Sequence, residues 1–291
     1  MKLGELIAQT ALRLTEAGVS FGHGTADARD EAAWLVLWAL QLPLDTALAD
    51  DGPAVDAAGL QAVQALLDER IATRKPLAYL TREAWLQGVP FYVDERSIVP
   101  RSLIAELLVD GSLDYWLSEA THRVLDLCTG NASLAILAAM VYPEVDVTGA
   151  DISADALAVG HINVERHQMQ QRVTLVQSDG LQQVDGCFDL VLCNPPYVNA
   201  HSMAALPAEY RAEPALALDG NVDGGSDGMG FVRRLLATVK PRLNPGGVLV
   251  LEIGHERPQF EAAFPALQAV WLQTSAGEDQ VLLLTRDALP E

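Results

Sequence analysis

The stretch VLDLCTGNASLAIL, from Val124 to Leu137, contains the strongest evidence for the fold. Apolar residues that favour a strand run up to Asp126, a short loop around Gly130 follows, and apolar residues with helical spacing begin near Ser133. A strand, a tight turn and a helix in this order form a unit of an α/β sheet. Because Gly130 has no Cβ, the turn allows a ligand to approach the backbone closely.

The same alternation continues along the rest of the chain. Strands are predicted at 123–128, 146–151, 173–179, 188–194 and 247–254, with helices near 133–141, 154–167 and 231–243. This order predicts a mainly parallel sheet with helices on both faces. A last pair of strands, 269–274 and 280–286, is separated only by SAGED. Since so short a gap allows a hairpin but no crossover, one strand of this pair should run antiparallel to the others.

The chain before this region is helical. From Leu3 to about Thr73, apolar residues recur three and four positions apart. Thr25 or Asp27 can cap a second helix. The region of Pro43, Gly52 and Pro53 then separates that helix from a third one, which runs to about Ile71.

A hairpin is predicted between the helices and the sheet. The segment WLQGVPFYVDERSIVP, from Trp85 to Pro100, alternates aromatic or β-branched residues with polar ones around Asp94 and Glu95. We therefore divide the chain into a helical domain (1–84), a β-hairpin linker (85–100) and an α/β domain (101–291).

Composition limits the partners and the compartment. The 291 residues carry a formal net charge of -20, which repels nucleic-acid phosphates and anionic membranes and suits a basic partner. The three cysteines and six histidines show neither a disulfide framework nor a metal-ligand spacing. No window is long and apolar enough to span a membrane. We expect a soluble cytoplasmic protein that has no metal site and binds neither membranes nor nucleic acid directly.

Acids lie at the ends of three successive predicted strands, at Asp126, Asp151 and Asp179. Ligands of open α/β sheets bind outside the carboxyl ends of the strands. There, Asp151 can take both hydroxyls of a ribose, and Asp179 can accept a hydrogen bond from an adenine amino group. Each acid can equally cap the next helix.

The rest of the chain narrows the identity of this ligand. Neither a G-x-G-x-x-G loop nor a phosphate-binding P-loop is present. The sequence therefore predicts an adenosine joined to a cationic group, which describes S-adenosyl-L-methionine, with S-adenosyl-L-homocysteine as the product. The predicted cofactor residues are Asp126, Thr129, Gly130, Asp151, Ile152, Asp179 and Asn194.

The fourth strand of the sheet ends in a rigid segment, Asn194-Pro195-Pro196-Tyr197. Proline fixes its own φ, has no backbone donor and restricts the residue before it. This segment resembles the signature of Rossmann-like methyltransferases that act on planar amide or amino nitrogens. The segments HGT, DEA, LAYLT, FYVDERSIVPRS, LPAEYRAEP and EIG also resemble the protein-glutamine N5-methyltransferases, from about His23 to Thr285.

The resemblance implies a mechanism. The side-chain oxygen of Asn194 and the carbonyl of Pro195 would accept the two N–H bonds of a glutamine amide. The prolines, including Pro196, would make that geometry rigid, and Tyr197 would offer its ring face to the amide. Arg101 would steer the substrate or pair with Glu106.

The segment EYRAEPALALDG, Glu209 to Gly220, follows the signature. It would form a lid over the substrate or a simple surface connection.

Within this family, the resemblance favours the branch that methylates ribosomal protein L-three of the large subunit, before or during ribosome assembly. The branch that modifies peptide-chain release factors typically carries Pro-Arg-Pro-Asp-Thr-Glu after the hairpin. Here PRSLIAEL, Pro100 to Leu107, keeps Pro100, Arg101 and Glu106 but lacks the Pro-Asp-Thr.

Two further alternatives stay open, as does the oligomeric state. An adenine-N6 nucleic-acid methyltransferase shares close variants of the signature, but the net charge of -20 opposes it. A non-catalytic cofactor-binding scaffold is suggested by Ala132, where the family usually has a second loop glycine. If that position requires a positive φ, alanine costs about 1 kcal/mol there.

Overall fold

The computed structural model describes residues 1–47 and 54–290. The predicted linker residues Gly52 and Pro53 lie outside these ranges. The first part of the described chain contains four helices, α1 (Leu3–Glu16), α2 (Ala28–Ala39), α3 (Ala57–Thr73) and α4 (Leu77–Thr81). Of the two candidate caps for α2, it is Asp27 whose side chain accepts from the backbone N–H groups of Arg29 and Asp30. The apolar faces of these helices share one buried cluster.

The linking hairpin is present, but its turn is not where the sequence suggested. Strands β1 (Ala84–Leu86) and β2 (Val89–Phe91) pair antiparallel across Gln87 and Gly88, which both have positive φ. Two central residues of this kind match the twist of a tight hairpin. A turn does form at Asp94 and Glu95, where the N–H of Ser97 donates to the Asp94 carbonyl at 3.1 Å and the Asp94 carboxylate accepts from Arg96, but this turn does not join the two strands of the hairpin. Residues 92–103 follow without regular structure.

The α/β region alternates strands and helices as expected. Its elements are α5 (Ile104–Val109), β3 (Arg123–Leu127), α6 (Ser133–Val141), β4 (Asp146–Asp151), α7 (Ala154–Arg166), β5 (Val173–Gln177), β6 (Phe188–Cys193), α8 (Ala200–Ala205), α9 (Ala208–Arg211), α10 (Gly230–Thr238), β7 (Leu243–Glu252), α11 (Arg257–Ala263), β8 (Val270–Thr274) and β9 (Gly277–Thr285). The helices predicted at 133–141 and 154–167 are confirmed as α6 and α7.

The large sheet has seven strands in the order β5-β4-β3-β6-β7-β9-β8. Strand β9 is antiparallel to both β7 and β8, which confirms the terminal hairpin. Successive residues of β6 alternate between the two buried faces: Leu190 and Leu192 pack on the side of α6, whereas Val191 and Cys193 pack on the side of α10. None of the helices within the two described ranges is long and apolar enough to cross a membrane.

The strand order reverses between β3 and β6, which are parallel neighbours. At such a switch point, the loops that leave the two strands diverge to opposite faces and open a crevice. Leu127 pairs in register with Cys193, so the glycine loop after β3 and the Asn194 segment after β6 leave the sheet side by side. The fold therefore brings the glycine loop and the Asn194 segment together at one edge of the sheet.

Candidate functional site

A cavity of about 270 Å³ opens at this switch point. Its walls come from separate parts of the chain that meet only in the fold. The lining includes residues 96–102, 126–131, 133–134, 150–153 and 178–180, together with Asn194, Pro196, Pro214, Leu216, Ala217, Val222, Phe231 and Arg234.

The cavity gathers most of the predicted site residues. All seven predicted cofactor residues line it, as do Arg101 and Pro196. Pro195 and Tyr197 do not belong to the lining: Pro195 is buried and Tyr197 is half-buried, packed against the core on the side of α10. Among the residues that the structure describes, no group of three or more His, Cys, Asp or Glu side chains is arranged to hold a metal ion.

Asp126, at the end of β3, is almost fully buried. One oxygen of its carboxyl, Oδ2, accepts from Thr129 Oγ1 at 2.5 Å and from the N–H of Ala135 at 3.0 Å. Within the described part of the chain, its other oxygen, Oδ1, has no hydrogen-bond partner. Burial raises the pKa of Asp126 to about 7, although the bonds from Thr129 and Ala135 oppose that rise. The carboxyl therefore caps the start of α6 and keeps one oxygen for another partner.

Asp151, at the end of β4, connects two of the loops around the cavity. Its carboxylate accepts from the N–H of Gly130 and from the N–H of Ser153, both at 2.9 Å. Burial raises its pKa. The cap of α7 is Ser153, whose hydroxyl accepts from the N–H of Ala156, so helix capping does not explain the position of Asp151.

The third acid, Asp179, follows β5. Its side chain, 40% exposed, lies 3.7 Å from the guanidinium of Arg234.

The glycine loop is tightly wound. Three alternate residues have positive φ: Cys128 at 62°, Gly130 at 56° and Ala132 at 64°. Ala132 thus adopts the conformation that costs an L-residue about 1 kcal/mol, and it is fully buried. A Cβ on Gly160 of α7 would lie 3.3 Å from the Ala132 methyl group, so Gly160 leaves the room that this methyl group occupies. The missing second glycine therefore strains the loop without closing the cavity.

The segment after β6 is held by two close-approach glycines. Gly228 lies against the carbonyl of Tyr197 with no room for a side chain. Gly254, with φ of 52°, faces the ring of Tyr197, and a Cβ there would lie 2.6 Å from Tyr197 Cε2. This contact gives the EIG segment a physical role, because only glycine fits that position.

Comparison with known proteins identifies the family. Family models match residues 106–217 ("Methyltransferase small domain") and 5–81 ("PrmC N-terminal domain"). The ribosomal protein uL3 glutamine methyltransferase of Bordetella pertussis is 50% identical, over 99% of this chain and 96% of that protein. The relative of the same name from Neisseria gonorrhoeae is 47% identical, over 95% of this chain and 92% of that protein. The chain belongs to the uL3 glutamine methyltransferase family.

A solved structure agrees with the fold of this uL3 glutamine methyltransferase family member. A methyltransferase from Pyrococcus furiosus matches with a TM-score of 0.50 at 19% identity, over 78% of this chain and 98% of that one. At this level of identity the likeness shows the shared fold. The expected Rossmann-like fold is thereby confirmed, and the matching family model confirms that it is a methyltransferase domain.

In this member of the uL3 glutamine methyltransferase family, Arg101 does not pair with Glu106 as the sequence suggested. Its guanidinium binds the carboxylate of Glu213 through two bonds of 2.6 and 2.8 Å. Burial alone would raise the pKa of Glu213, but Arg101 and His23 bring it down to about 2. Glu106 instead accepts from the N–H and hydroxyl of Ser275. The expected pairing was wrong because Glu106, the nearest acid in sequence, binds the turn between β8 and β9.

The segment from Glu209 to Gly220 is not a free lid in this structure. Glu209 is fully buried and pairs with Arg74 at 2.6 Å and with Arg70 at 3.5 Å, both near the end of α3. The ring of Tyr210 packs on that of His23, with centroids 4.2 Å apart. The beginning of this segment is therefore a buried joint between the helical region and the cavity wall.

Sequence reasoning missed the residues of this joint, above all Glu213 and Arg70. Both residues lie in segments without the residue spacing of a metal site or a catalytic motif. Their ion-pair partners are distant in the chain, so the sequence does not reveal them. The available signals were the HGT segment and the LPAEYRAEP segment, because His23 lies 3.3 Å from a carboxylate oxygen of Glu213.

Proposed function

We propose that the protein transfers the methyl group of S-adenosyl-L-methionine to the side-chain amide nitrogen, N5, of a glutamine in ribosomal protein uL3. The observation that carries this proposal is a single cavity that combines Asn194 with acids from the ends of three neighbouring strands. Family membership supports both the reaction and the substrate. The release-factor and nucleic-acid alternatives have no comparable support.

The residues around the cavity fit the cofactor. Asp151 would accept the ribose hydroxyls, and Asp179 would accept from the adenine amino group. Ile152, 47% exposed at the same edge, offers an apolar surface to the adenine ring. The unpartnered oxygen of Asp126 suits the cationic methionine end. When bound, the cofactor supplies a methyl group on a positively charged sulfur.

The chain's own contribution to the reaction would be positioning. The lone pair of an amide nitrogen is delocalised into its carbonyl, so the nitrogen is a weak nucleophile and must be held in line with the methyl group. We propose that Asn194 Oδ1 and the Pro195 carbonyl accept the two N–H bonds of the amide. Pro196 stiffens the segment, and Tyr197 supports it from the core side. Fixed dipoles of this kind stabilise the charge that develops on nitrogen.

The helical region, 1–84, would help to recognise the substrate, with the hairpin region up to residue 100 as its link to the α/β domain. Its buried ion pairs with Glu209 and Glu213 hold it against the wall that carries Arg101. Arg101 would meet the substrate as part of this wall, since its side chain is 24% exposed.

The partner would be uL3 before or during ribosome assembly in the cytoplasm. A charge of -20 favours encounter with a basic ribosomal protein and opposes direct binding to nucleic acid.

The decisive experiment offers three candidate substrates to the purified protein with S-adenosyl-L-methionine. These are uL3, a peptide-chain release factor and an adenine-containing oligonucleotide. Tandem mass spectrometry is expected to find one added methyl group on a glutamine of uL3. Modification of the release factor alone would overturn the proposal, and so would methylated adenine without methylated uL3.

Cofactor binding is expected to release a proton from Asp126. The pKa of Asp126 in the folded protein, about 7, lies above the ordinary value for aspartate. The protonated Asp126 side chain therefore contributes its full share to the stability of the fold below the unfolded pKa, and this share is lost as the pH rises through 7. A cation beside Oδ1 favours the carboxylate. Binding should therefore tighten between about pH 6 and pH 8. Calorimetry in buffers with different ionisation heats measures the proton, and Asp126→Asn should abolish its release; equal release by this variant would contradict the prediction.

Substitution of Gly254 by alanine is expected to lower kcat by roughly 10- to 100-fold, because the new Cβ displaces the Tyr197 ring and shifts the neighbouring segment. Gly246→Ala is the matched control: this glycine also has a positive φ, but its Cβ would meet no atom within 4 Å. Both variants should lose about 1 kcal/mol of stability through the positive φ, and Gly254→Ala should lose more because its Cβ also meets the Tyr197 ring. Steady-state kinetics that show equal kcat for the two would refute a role for Tyr197.

A further inference from the structure

Asn163 lies in the middle of α7 and is fully buried. Its side-chain amide makes three hydrogen bonds to backbone groups. Oδ1 accepts from the N–H of Tyr92 at 2.7 Å, while Nδ2 donates to the carbonyl of Tyr92 at 3.0 Å and to the carbonyl of Asn131 at 2.9 Å. The amide thus satisfies both backbone groups of one residue and the carbonyl of another. This pattern requires one acceptor and two donors on a short, planar side chain, which is what asparagine provides.

The two residues that Asn163 binds belong to different walls of the cavity. Tyr92 begins the irregular segment 92–103, whose residues 96–102 form one wall. Asn131 lies in the glycine loop, which forms another. A segment without regular structure has few backbone bonds of its own, so its position depends on bonds of this kind.

Each of these walls also presents a buried polar atom that has no partner within the described residues. These atoms are Ser97 Oγ on the irregular segment and Nδ2 of Asn131 on the glycine loop. Polar atoms are rarely left buried and unpaired unless a ligand or water completes them. A further polar partner is therefore expected for each of these atoms, and its contact depends on where the wall that carries the atom lies.

Helix α7 itself is brought close to the glycine loop. One turn before Asn163, a Cβ on Gly160 would lie 3.0 Å from Leu175 Cδ1 and 3.4 Å from the Gly130 carbonyl. The absence of that side chain lets the helix approach the loop near enough for Asn163 to reach Asn131.

We infer that Asn163 is a positioning residue for cofactor binding: its amide sets the separation of the two walls and preforms the site before S-adenosyl-L-methionine arrives. This inference rests on the proposed function, because it takes that cofactor as the ligand of the cavity. Asn163 itself is not in the cavity lining. Its substitution should therefore change cofactor affinity and KM for the cofactor, and leave kcat at saturating cofactor near the wild-type value.

Two variants test this role. Asn163→Ala removes all three bonds without adding charge, and Asn163→Asp places a carboxylate against two carbonyl oxygens. For both, we expect the Kd for S-adenosyl-L-methionine from calorimetry, and KM for it in the uL3 assay, to rise roughly tenfold to a hundredfold, as the loss of one or two buried hydrogen bonds would produce. If the aspartate variant does not fold, the alanine variant carries the test.

His167→Ala is the matched control. His167 lies directly after α7, where its Nε2 contacts the carbonyl of Pro90 in the hairpin at 2.9 Å, and it belongs to neither wall. The His167→Ala variant should be less stable than the wild type, while its Kd and KM for the cofactor stay at the wild-type values.

The outcomes are distinct. An unchanged Kd in both Asn163 variants, or a Kd that rises equally in His167→Ala, would overturn the inference. A fall in kcat at unchanged KM would overturn it too. Wild-type protein that fails to bind S-adenosyl-L-methionine at all would overturn the proposed function instead.

Discussion

Replacement of Asn194 by alanine is expected to lower kcat by roughly 10²- to 10³-fold, the effect of removing one oriented polar group from a preorganised site. Asn194 follows β6 at the switch point, half-buried and beside Pro196 in the cavity lining. The variant leaves the acids at the ends of β3 and β4 intact. Although Asn194 is also one of the predicted cofactor residues, most of the affinity for S-adenosyl-L-methionine should therefore survive, and the main loss should lie in turnover.

Transfer of a tritiated methyl group to uL3, at saturating concentrations of both substrates, measures this effect. Asn244→Ala is a suitable control: Asn244 lies at the start of β7, where its amide donates to Asp189 at 2.7 Å, away from the cavity. Its kcat should equal that of the wild type. Full turnover by Asn194→Ala would refute the positioning mechanism.

Loss of the Glu213 carboxylate is expected to produce the largest change in stability. Glu213→Ala leaves the Arg101 guanidinium, the N–H of Val99 and buried His23 without their shared partner. Removal of one partner from a buried ion pair typically costs 3–5 kcal/mol, and we expect about 3 kcal/mol because Arg101 stays 24% exposed. Chemical denaturation measures this loss. A loss below about 1 kcal/mol, the range of exposed pairs, would contradict the prediction.

Glu95→Ala is the matched control, since Glu95 and Lys75 form a pair of similar length in which both side chains are nearly half exposed. The loss of stability in Glu95→Ala should stay below about 1 kcal/mol.

The pKa of Glu213, about 2, also predicts that stability depends on pH. The stability it contributes is present above the ordinary pKa of glutamate and is lost as the pH falls toward 2. The alanine variant should therefore show a flatter acid-unfolding curve than the wild type.

The sequence predicted the elements that depend on local patterns. The bounds of α6 and β4 agree with the prediction to the residue, because apolar spacing defines both elements, with Ser133 at the start of α6 and an aspartate at each end of β4. Helices α4, α5, α8, α9 and α11 were not predicted, since four to seven residues are too few to show a helical period. The hairpin turn was misplaced because Asp94 and Glu95 do form a turn, but one that joins no hairpin strands, whereas the hairpin turn contains Gln87, a residue type that seldom has a positive φ.

For the site, the sequence predicted correctly which acids meet, because these acids lie at the ends of parallel strands. Parallel strands end at one edge, so acids after three of them were expected to meet, and they line one cavity. The partner of Arg101 could not be obtained in this way. Glu106 was close in sequence, but Glu213, more than a hundred positions away, is the acid that the fold brings to Arg101.

The sequence by itself determined the class of fold, the strand-end acids and the rigid Asn194-Pro195-Pro196-Tyr197 segment, because these follow from residue spacing and side-chain chemistry along a short length of chain. Only the tertiary structure decided which walls enclose the cavity, that Glu213 and Asn163 hold them, and that glycines confine Tyr197. Those contacts join residues far apart in the chain, and their partners are selected by strand order and helix approach rather than by any local pattern.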